Sequence, residues 1–264
     1  MNKIVLVSGA SSGIGLETAQ YLHNLDYQVI GLSRTYPKVE YDFDYFLCDI
    51  TDEKKVIEIK ELIKDKYGHI DVLVNSAGMG ISGAIENTPL KEVKQIYNVN
   101  VFGHFLVTKN LLPLLRESKE AKVINISSVA SDIALPYQAF YSMTKASIDV
   151  FTKALDLELK PFNIKVCAVL PGDIKTGFTK NRLQPYKVES DLYTERAKRS
   201  LERMAKDEQN GMAPIKIAKK IEKLIRRNRM PLRTTVGLSY KTIRVLNKLL
   251  PEKFVQFFVR KLYG

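Results

Sequence analysis

The chain has 264 residues, 45% of them apolar, with 41 Lys and Arg against 29 Asp and Glu for a formal net charge of +12. That is enough apolar chain for one full core, and the composition excludes disordered, collagen-like and coiled-coil proteins. Residues 1–180 hold 20 basic and 21 acidic side chains and residues 181–264 hold 21 and 8, so the charge belongs to the last third and a whole-molecule nucleic-acid binder is not indicated.

In chain order, short branched-apolar runs alternate with amphipathic stretches. Residues 4–9 (IVLVSG) read as a first strand and 16–25 as a helix. A second strand falls at 27–34 and a third at 46–49, followed by a helix over 52–66. A fourth strand at 70–78 leads into one long helix at about 89–115, and a fifth at 122–128 leads into a helix at 141–159. The sixth strand is 164–172. Near-continuous apolar strands separated by helices describe a parallel sheet covered on both faces. The fold class is therefore α/β: a single Rossmann-type, doubly wound parallel sheet of about seven strands over residues 1–264.

Regularity stops at Pro171-Gly172. Residues 173–212 are polar and turn-rich, with a helix-like stretch at 191–206, and they follow a strand's carboxyl end, where a substrate lid belongs. Pro214 opens a basic amphipathic helix, a seventh strand is weakly marked after Arg229, and residues 240–264 form a basic amphipathic tail. The tail has three readings: a solvated face whose apolar stripe packs on the sheet, a guide for anionic ligands, or a contact with an anionic membrane surface. The N-terminus enters its first strand too soon for a signal peptide, and no apolar run approaches the ~18–20 residues of a membrane span. Cys48 and Cys167 sit in apolar stretches, and no spacing resembles a metal site. A cytoplasmic, metal-independent protein is expected.

The turn SGASSGIG, Ser8 to Gly15, lies between the first strand and the first helix. In that context its backbone and the helix N-terminus suit a pyrophosphate, with Gly9, Gly13 and Gly15 for the turn, the close approach and the packing, and Ser11, Ser12 and Ile14 beside them. An acidic residue ending the second strand would accept from a ribose 2′-OH; Ser33 and Arg34 stand there instead, and Arg34 suits a 2′-phosphate. NADP(H) is thus expected over NAD(H), with Asp49 and Ile50 near the adenine.

From Ile4 to about Thr176 the chain closely resembles the short-chain dehydrogenase/reductase superfamily. The resemblance rests on the glycine motif, NSAG at Asn75–Gly78, Asn100 in NVFG, Ser128 in NISSVAS, Tyr141 and Lys145 in YSMTK, and PGDIKT at Pro171–Thr176. It implies a catalytic set of Asn100, Ser128, Tyr141 and Lys145, with Asn100 retaining a relay water. It also implies cofactor contacts at Asn75, Ala77, Gly78, Lys145, Pro171, Gly172, Ile174 and Thr176. Ser8, Ser76 and Ser131 depart from the family's commoner residues. The residue types support the chemistry independently. Tyr141 and Lys145 share a helix face, and an ammonium beside a phenol is expected to draw its pKa from about 10 toward neutrality. Such a tyrosine exchanges a proton with a carbonyl or alcohol oxygen that Ser128 orients.

For the substrate, Met79, Ile81, Ile133, Leu135, Tyr137 and Phe178 are candidate walls beside Ser128 and Tyr141, mostly apolar. SAGMGISGAIE at 76–86 resembles the branch acting on steroids and retinoids, which implies a hydroxysteroid-type ketone or secondary alcohol. Broad carbonyl or retinoid reduction, or a catalytically silent NADP(H)-binding sensor or scaffold, stand as alternatives. The family's oligomers imply a homodimer or homotetramer through helices near 100–115 and 141–160, using Phe102, Phe105, Phe151 and Leu155.

Overall fold

A computed structural model of the chain describes residues 2–184 and 192–264. Its strands are β1 (Ile4–Ser8), β2 (Gln28–Ser33), β3 (Asp44–Leu47), β4 (Val72–Asn75), β5 (Lys122–Ile126), β6 (Lys165–Leu170) and β7 (Arg233–Thr235). They form one seven-stranded sheet in the order β3-β2-β1-β4-β5-β6-β7 with every pairing parallel. Strand order reverses between β1 and β4, and in such sheets the crevice beyond the carboxyl ends at that point receives ligands.

Period-two alternation places successive side chains on opposite faces, and both faces are buried, which is why the strands read as unbroken apolar runs. Val5, Val7, Val72 and Val74 face α1 (Gly13–His23) and α7 (Ile215–Arg226), meeting Leu22, Ile217 and Ile221. Leu6 and Leu73 face the opposite layer, joining Ile59 and Ile63 of α2 (Glu53–Tyr67), Leu111 and Leu115 of α4 (His104–Arg116), and Leu155 and Leu159 of α5 (Ala139–Leu159). Each such side chain, fully buried, contributes about 1.5–3 kcal/mol before entropy is set against it. α2 begins where Asp52 accepts from the backbone N–H groups of Lys54 and Lys55 and ends at Gly68, whose φ of 77° suits glycine.

The single helix expected at 89–115 is divided. α3 (Leu90–Tyr97) passes through a π-helical segment, Asn98–Gly103, into α4. The third strand begins earlier than expected, at Asp44, and Cys48 and Asp49 turn away from it toward the crevice. Of the residues expected to mediate assembly, Phe102 and Phe105 are exposed. Phe151 packs against the inner layer and Leu155 is buried inside it, which removes Leu155 from any surface.

Lys122 is buried at the start of β5, where its ammonium donates to the carbonyls of Ile225 and, at 2.8 Å, Arg227 at the end of α7. Burial holds its pKa down at about 8. Between that value and the ordinary lysine range the unfolded chain binds the extra proton, so folding stability rises with pH across the window. Urea midpoints measured on both sides of it are expected to show this rise, and Lys122→Met is expected to reduce it, leaving the part that comes from Lys145, which burial lowers to a similar value.

After β6 the chain runs through α6 (Thr194–Gln209), α7 and β7 into two tail helices, α8 (Leu238–Leu249) and α9 (Glu252–Tyr263), separated at Pro251. The apolar stripe of α7 packs on the sheet as expected, with Ile217, Ile221 and Leu224 buried. The tail does not follow that reading, because neither α8 nor α9 buries a residue. Tyr240, Arg244 and Asn247 hold α8 to the body. Arg244 donates to Asp132 at 2.7 Å and Thr235 at 2.6 Å, and Asn247 to the Asp132 carbonyl at 3.2 Å.

Candidate active site

A cavity of about 1170 Å³ opens beyond the carboxyl ends of the strands. Every residue expected to hold the cofactor lines it except Asn75. The Asn75 side chain is fully buried and donates to Thr108 at 2.9 Å and Asn125 at 3.0 Å, tying β4 to α4 and β5.

The β1–α1 turn is a cradle with no space to spare. A Cβ on Gly9, at φ 73°, would lie 2.7 Å from the Ala77 backbone, and one on Gly15 would lie 2.2 Å from the Gly9 carbonyl oxygen. Gly13, at φ 56°, faces Thr176 across the cavity. Ser12 precedes α1 without a side-chain capping bond, and the first turn contains no acidic residue, so the helix itself supplies nothing that neutralises its positive end. Those features fit a pyrophosphate.

At the end of β2, Ser33 donates to the Thr35 carbonyl at 2.6 Å. Arg34 and Lys38 stand exposed on the cavity wall with no ion pair among the described residues. Lys38, which the sequence reading missed, adds a second cation to this corner. Asp49 also lines the wall, and its Oδ1 accepts from the Thr51 backbone at 2.9 Å and hydroxyl at 2.8 Å. Ile50, Ala77, Gly78, Pro171, Gly172, Ile174 and Thr176 complete the expected set.

Ser128, Tyr141 and Lys145 converge on the same cavity. Ser128 caps a short 3₁₀ turn, Val129–Ser131, with its oxygen accepting from the Ala130 backbone at 3.1 Å. Tyr141 and Lys145 stand one turn apart on α5. The Lys145 ammonium donates to the Ile126 carbonyl at 2.9 Å and lies 5.7 Å from the Tyr141 ring centre. The expected depression of the tyrosine is corrected here. Burial lifts the Tyr141 pKa to about 12 despite an opposing hydrogen bond from Ser128, and burial lowers that of Lys145 to about 8. In this environment desolvation of the phenolate outweighs the Ser128 hydrogen bond and the Arg182 charge that favour it.

Asn100 lies in the π-helical segment and off the cavity wall. It accepts from the Met79 backbone N–H at 2.8 Å, and donates to the Met79 carbonyl at 2.9 Å and Thr144 at 3.1 Å. It therefore clamps the loop after β4 to the helix that presents Lys145.

At the far end, Met79, Leu135 and Phe178 line the cavity, and Phe178 packs on Tyr141 with ring centres 5.5 Å apart. Ile133 and Tyr137 do not line it, which corrects the expectation for both. Tyr137 adopts φ 60°, and its carbonyl accepts from Gly83 at 2.8 Å. Ile81 is buried and bridged to Leu183. Gln138, Asp173, Met204, Glu208 and Tyr263 also line it, unforeseen. Met204 and Glu208 are four apart on α6, so the expected lid does reach the site, while residues 185–191 of that segment lie outside the described residues. Glu208 accepts from Thr179 and Arg182. Tyr263 gives no sign of its position in the sequence.

This arrangement offers a proton donor and a hydrogen-bonding hydroxyl at one point, with an anion cradle beside them. Comparison with known proteins agrees. The family model for short chain dehydrogenases matches residues 3–187. A 3-ketodihydrosphingosine reductase of Bacteroides thetaiotaomicron is 38% identical over 264 residues, covering 99% of this chain and 98% of the relative. Among solved structures, the aldohexose dehydrogenase of Thermoplasma acidophilum is 29% identical with a TM-score of 0.74, over 90% of this chain and 94% of that one. ElxO with NADP bound is 26% identical with the same TM-score of 0.74, over 92% and 100%. On its sequence, sheet order and assembled site, the chain belongs to the short-chain dehydrogenase/reductase family of oxidoreductases.

Proposed function

We propose that the protein is an NADPH-dependent reductase of a long-chain amino ketone of the sphingoid type. The observation that carries the substrate class is the end-to-end match to a 3-ketodihydrosphingosine reductase at 38% identity. The cavity supports it in two ways. Its far wall is apolar through Met79, Leu135, Phe178 and Met204, which suits an alkyl chain. Asp173 also lines it, close enough to Tyr141 for its charge to raise that pKa, and so offers a counter-charge to an amine beside the ketone, whereas Glu208 is already paired with Arg182. A steroid ketone does not use the Asp173 carboxylate.

NADPH, when bound, supplies the hydride that adds to the carbonyl carbon. The glycine turn and the start of α1 would hold its pyrophosphate, and Arg34 and Lys38 its 2′-phosphate. NADP bound to the structural relative ElxO supports the same choice. Tyr141, kept protonated by burial, donates its proton to the carbonyl oxygen, and Ser128 donates a hydrogen bond to that oxygen. Lys145, held by the Ile126 carbonyl, orients the cofactor side of the site. A phenol that retains its proton at neutral pH is in the form from which it can donate to a carbonyl oxygen.

NADPH oxidation followed with a long-chain 3-keto amine, its deaminated analogue and a steroid ketone tests the reading. The amino ketone is expected to give the highest kcat/KM; turnover of the steroid alone overturns it. Arg34→Ala is expected to weaken NADPH binding by about 10–100-fold, the loss of one or two charge-assisted hydrogen bonds, and to leave NADH binding nearly unchanged. Fluorescence titration with both cofactors measures this.

A further inference from the structure

The tail helices invert the usual relation between polarity and burial. On α8 the residues turned toward the body are Tyr240, Arg244 and Asn247, at intervals of four and three. Tyr240 donates to Asp173 at 2.6 Å, and the other two are bonded to Asp132. The apolar residues point out instead: Ile243, Leu246 and Leu249 are exposed, the last by 75%. On α9, Val255, Val259 and Tyr263 are half-buried at intervals of four, while Phe254, Phe257, Phe258 and Leu262 are exposed. The phenyl rings meet one another edge-on at the surface. A surface helix of a soluble domain ordinarily buries its apolar stripe. Here polar anchors hold α8 with the stripe facing solvent, and α9 likewise leaves its phenylalanines and Leu262 exposed.

We propose that the α8–α9 face seats the protein on the surface of an anionic bilayer. The charge fits that occupant. Residues 238–264 contain six basic side chains and one acidic. Arg244 is used internally, while Lys241, Lys248, Lys253, Arg260 and Lys261 are exposed and make no ion pair among the described residues. Exposed phenylalanines and leucines flanked by lysine and arginine are what an interfacial helix presents to headgroups and acyl chains. A second copy fits less well, since a two-fold pairing sets this patch on itself and opposes its cations to one another. No helix among the described residues is long and apolar enough to cross the membrane, so the contact is peripheral. Tyr263, on the half-buried side of α9, is on the cavity wall, so the helix that carries the seated residues also borders the active site.

Vesicle sedimentation of the full-length protein, without substrate, tests seating independently of the substrate assignment. Sedimentation is expected with phosphatidylcholine–phosphatidylglycerol vesicles at low salt, with little on phosphatidylcholine alone and release by added salt. Lys248→Gln and Lys253→Gln are each expected to lower the partition coefficient about fivefold, leaving turnover of a water-soluble ketone unchanged. Phe257→Ser combined with Phe258→Ser is expected to lower it about tenfold or more, with helical content checked by circular dichroism. If that double variant loses helix, the lysine variants decide. Absence of sedimentation with anionic vesicles at low salt overturns the proposal. So does a dimer, seen by analytical ultracentrifugation, that the double phenylalanine variant dissociates while vesicle binding is absent.

Discussion

Replacing Tyr141 by phenylalanine is expected to lower kcat by about 10²–10⁴, the range for loss of a general acid. The variant keeps the ring against Phe178, where the centres are 5.5 Å apart, so the cavity wall is preserved. It removes only the hydroxyl that shares the reacting point with Ser128. NADPH affinity is therefore expected to stay within about twofold, because no phosphate contact is touched. Single-turnover kinetics together with a fluorescence titration separate the two quantities. A Tyr141→Phe enzyme that retained most of its kcat would show that the proton comes from elsewhere.

The direction of the tyrosine's pKa shift gives this experiment a second reading. Burial raises Tyr141 to about 12, so between pH 6 and 9 the wild-type phenol stays protonated and its own titration does not limit reduction. Lys145, lowered to about 8, is the group that changes charge in that range. A fall in kcat/KM for reduction as pH rises through about 8 is expected, reporting on Lys145. Ser128→Ala is expected to lower the rate without moving that midpoint.

The architecture was legible because the physical cause of the pattern is repeated. A strand buried on both faces must be apolar throughout, and six such strands joined by helices admit few arrangements. The glycine turn and the four-residue interval from Tyr141 to Lys145 were legible for the same local reason: steric demand at Gly9 and Gly15, and helix periodicity on α5. What escaped depends on long-range packing. The π-helical segment keeps an apolar period, so nothing in residues 98–103 announces it; the hydrogen bonds of Asn100 to Met79 and Thr144 become visible only when three elements meet. Position after the fifth strand pointed to Ile133, Leu135 and Tyr137, but with a left-handed turn at Tyr137 only Leu135 of the three lies on the wall, joined by Gln138. Helical spacing in the tail located the stripe correctly and could not say which way it faces. That choice was made by Tyr240, Arg244 and Asn247 finding partners on the body. The tyrosine's pKa escapes the sequence for a related reason, since a neighbour's charge can be read from spacing and the phenol's desolvation cannot.

Gly15→Ala is expected to have the largest effect among substitutions that add a single carbon. The new Cβ would lie 2.2 Å from the Gly9 carbonyl oxygen and 2.7 Å from the Gly9 carbonyl carbon, both backbone atoms with no rotamer to escape into. Either α1 lifts from the sheet or the Gly9 peptide rotates. Gly9 has no freedom of its own, because its backbone donates to the Leu32 carbonyl at 2.7 Å and its Cα faces the Ala77 backbone. Overpacking of this kind costs about 1–3 kcal/mol of stability. The cost to cofactor binding should be greater in proportion, because the displaced atoms form the cradle itself, and NADPH affinity is expected to fall about 100-fold or more. Gly177→Ala is the matching control. Its added carbon meets only the Asn181 side chain, at 3.7 Å, so stability is expected to stay within about 0.5 kcal/mol of wild type. Thermal melts with and without NADPH distinguish the two variants: Gly15→Ala should lower the apparent melting temperature and lose most of the cofactor-induced rise, whereas Gly177→Ala should lower it little. A normal cofactor-induced rise in Gly15→Ala would mean that the pyrophosphate does not rest on this turn.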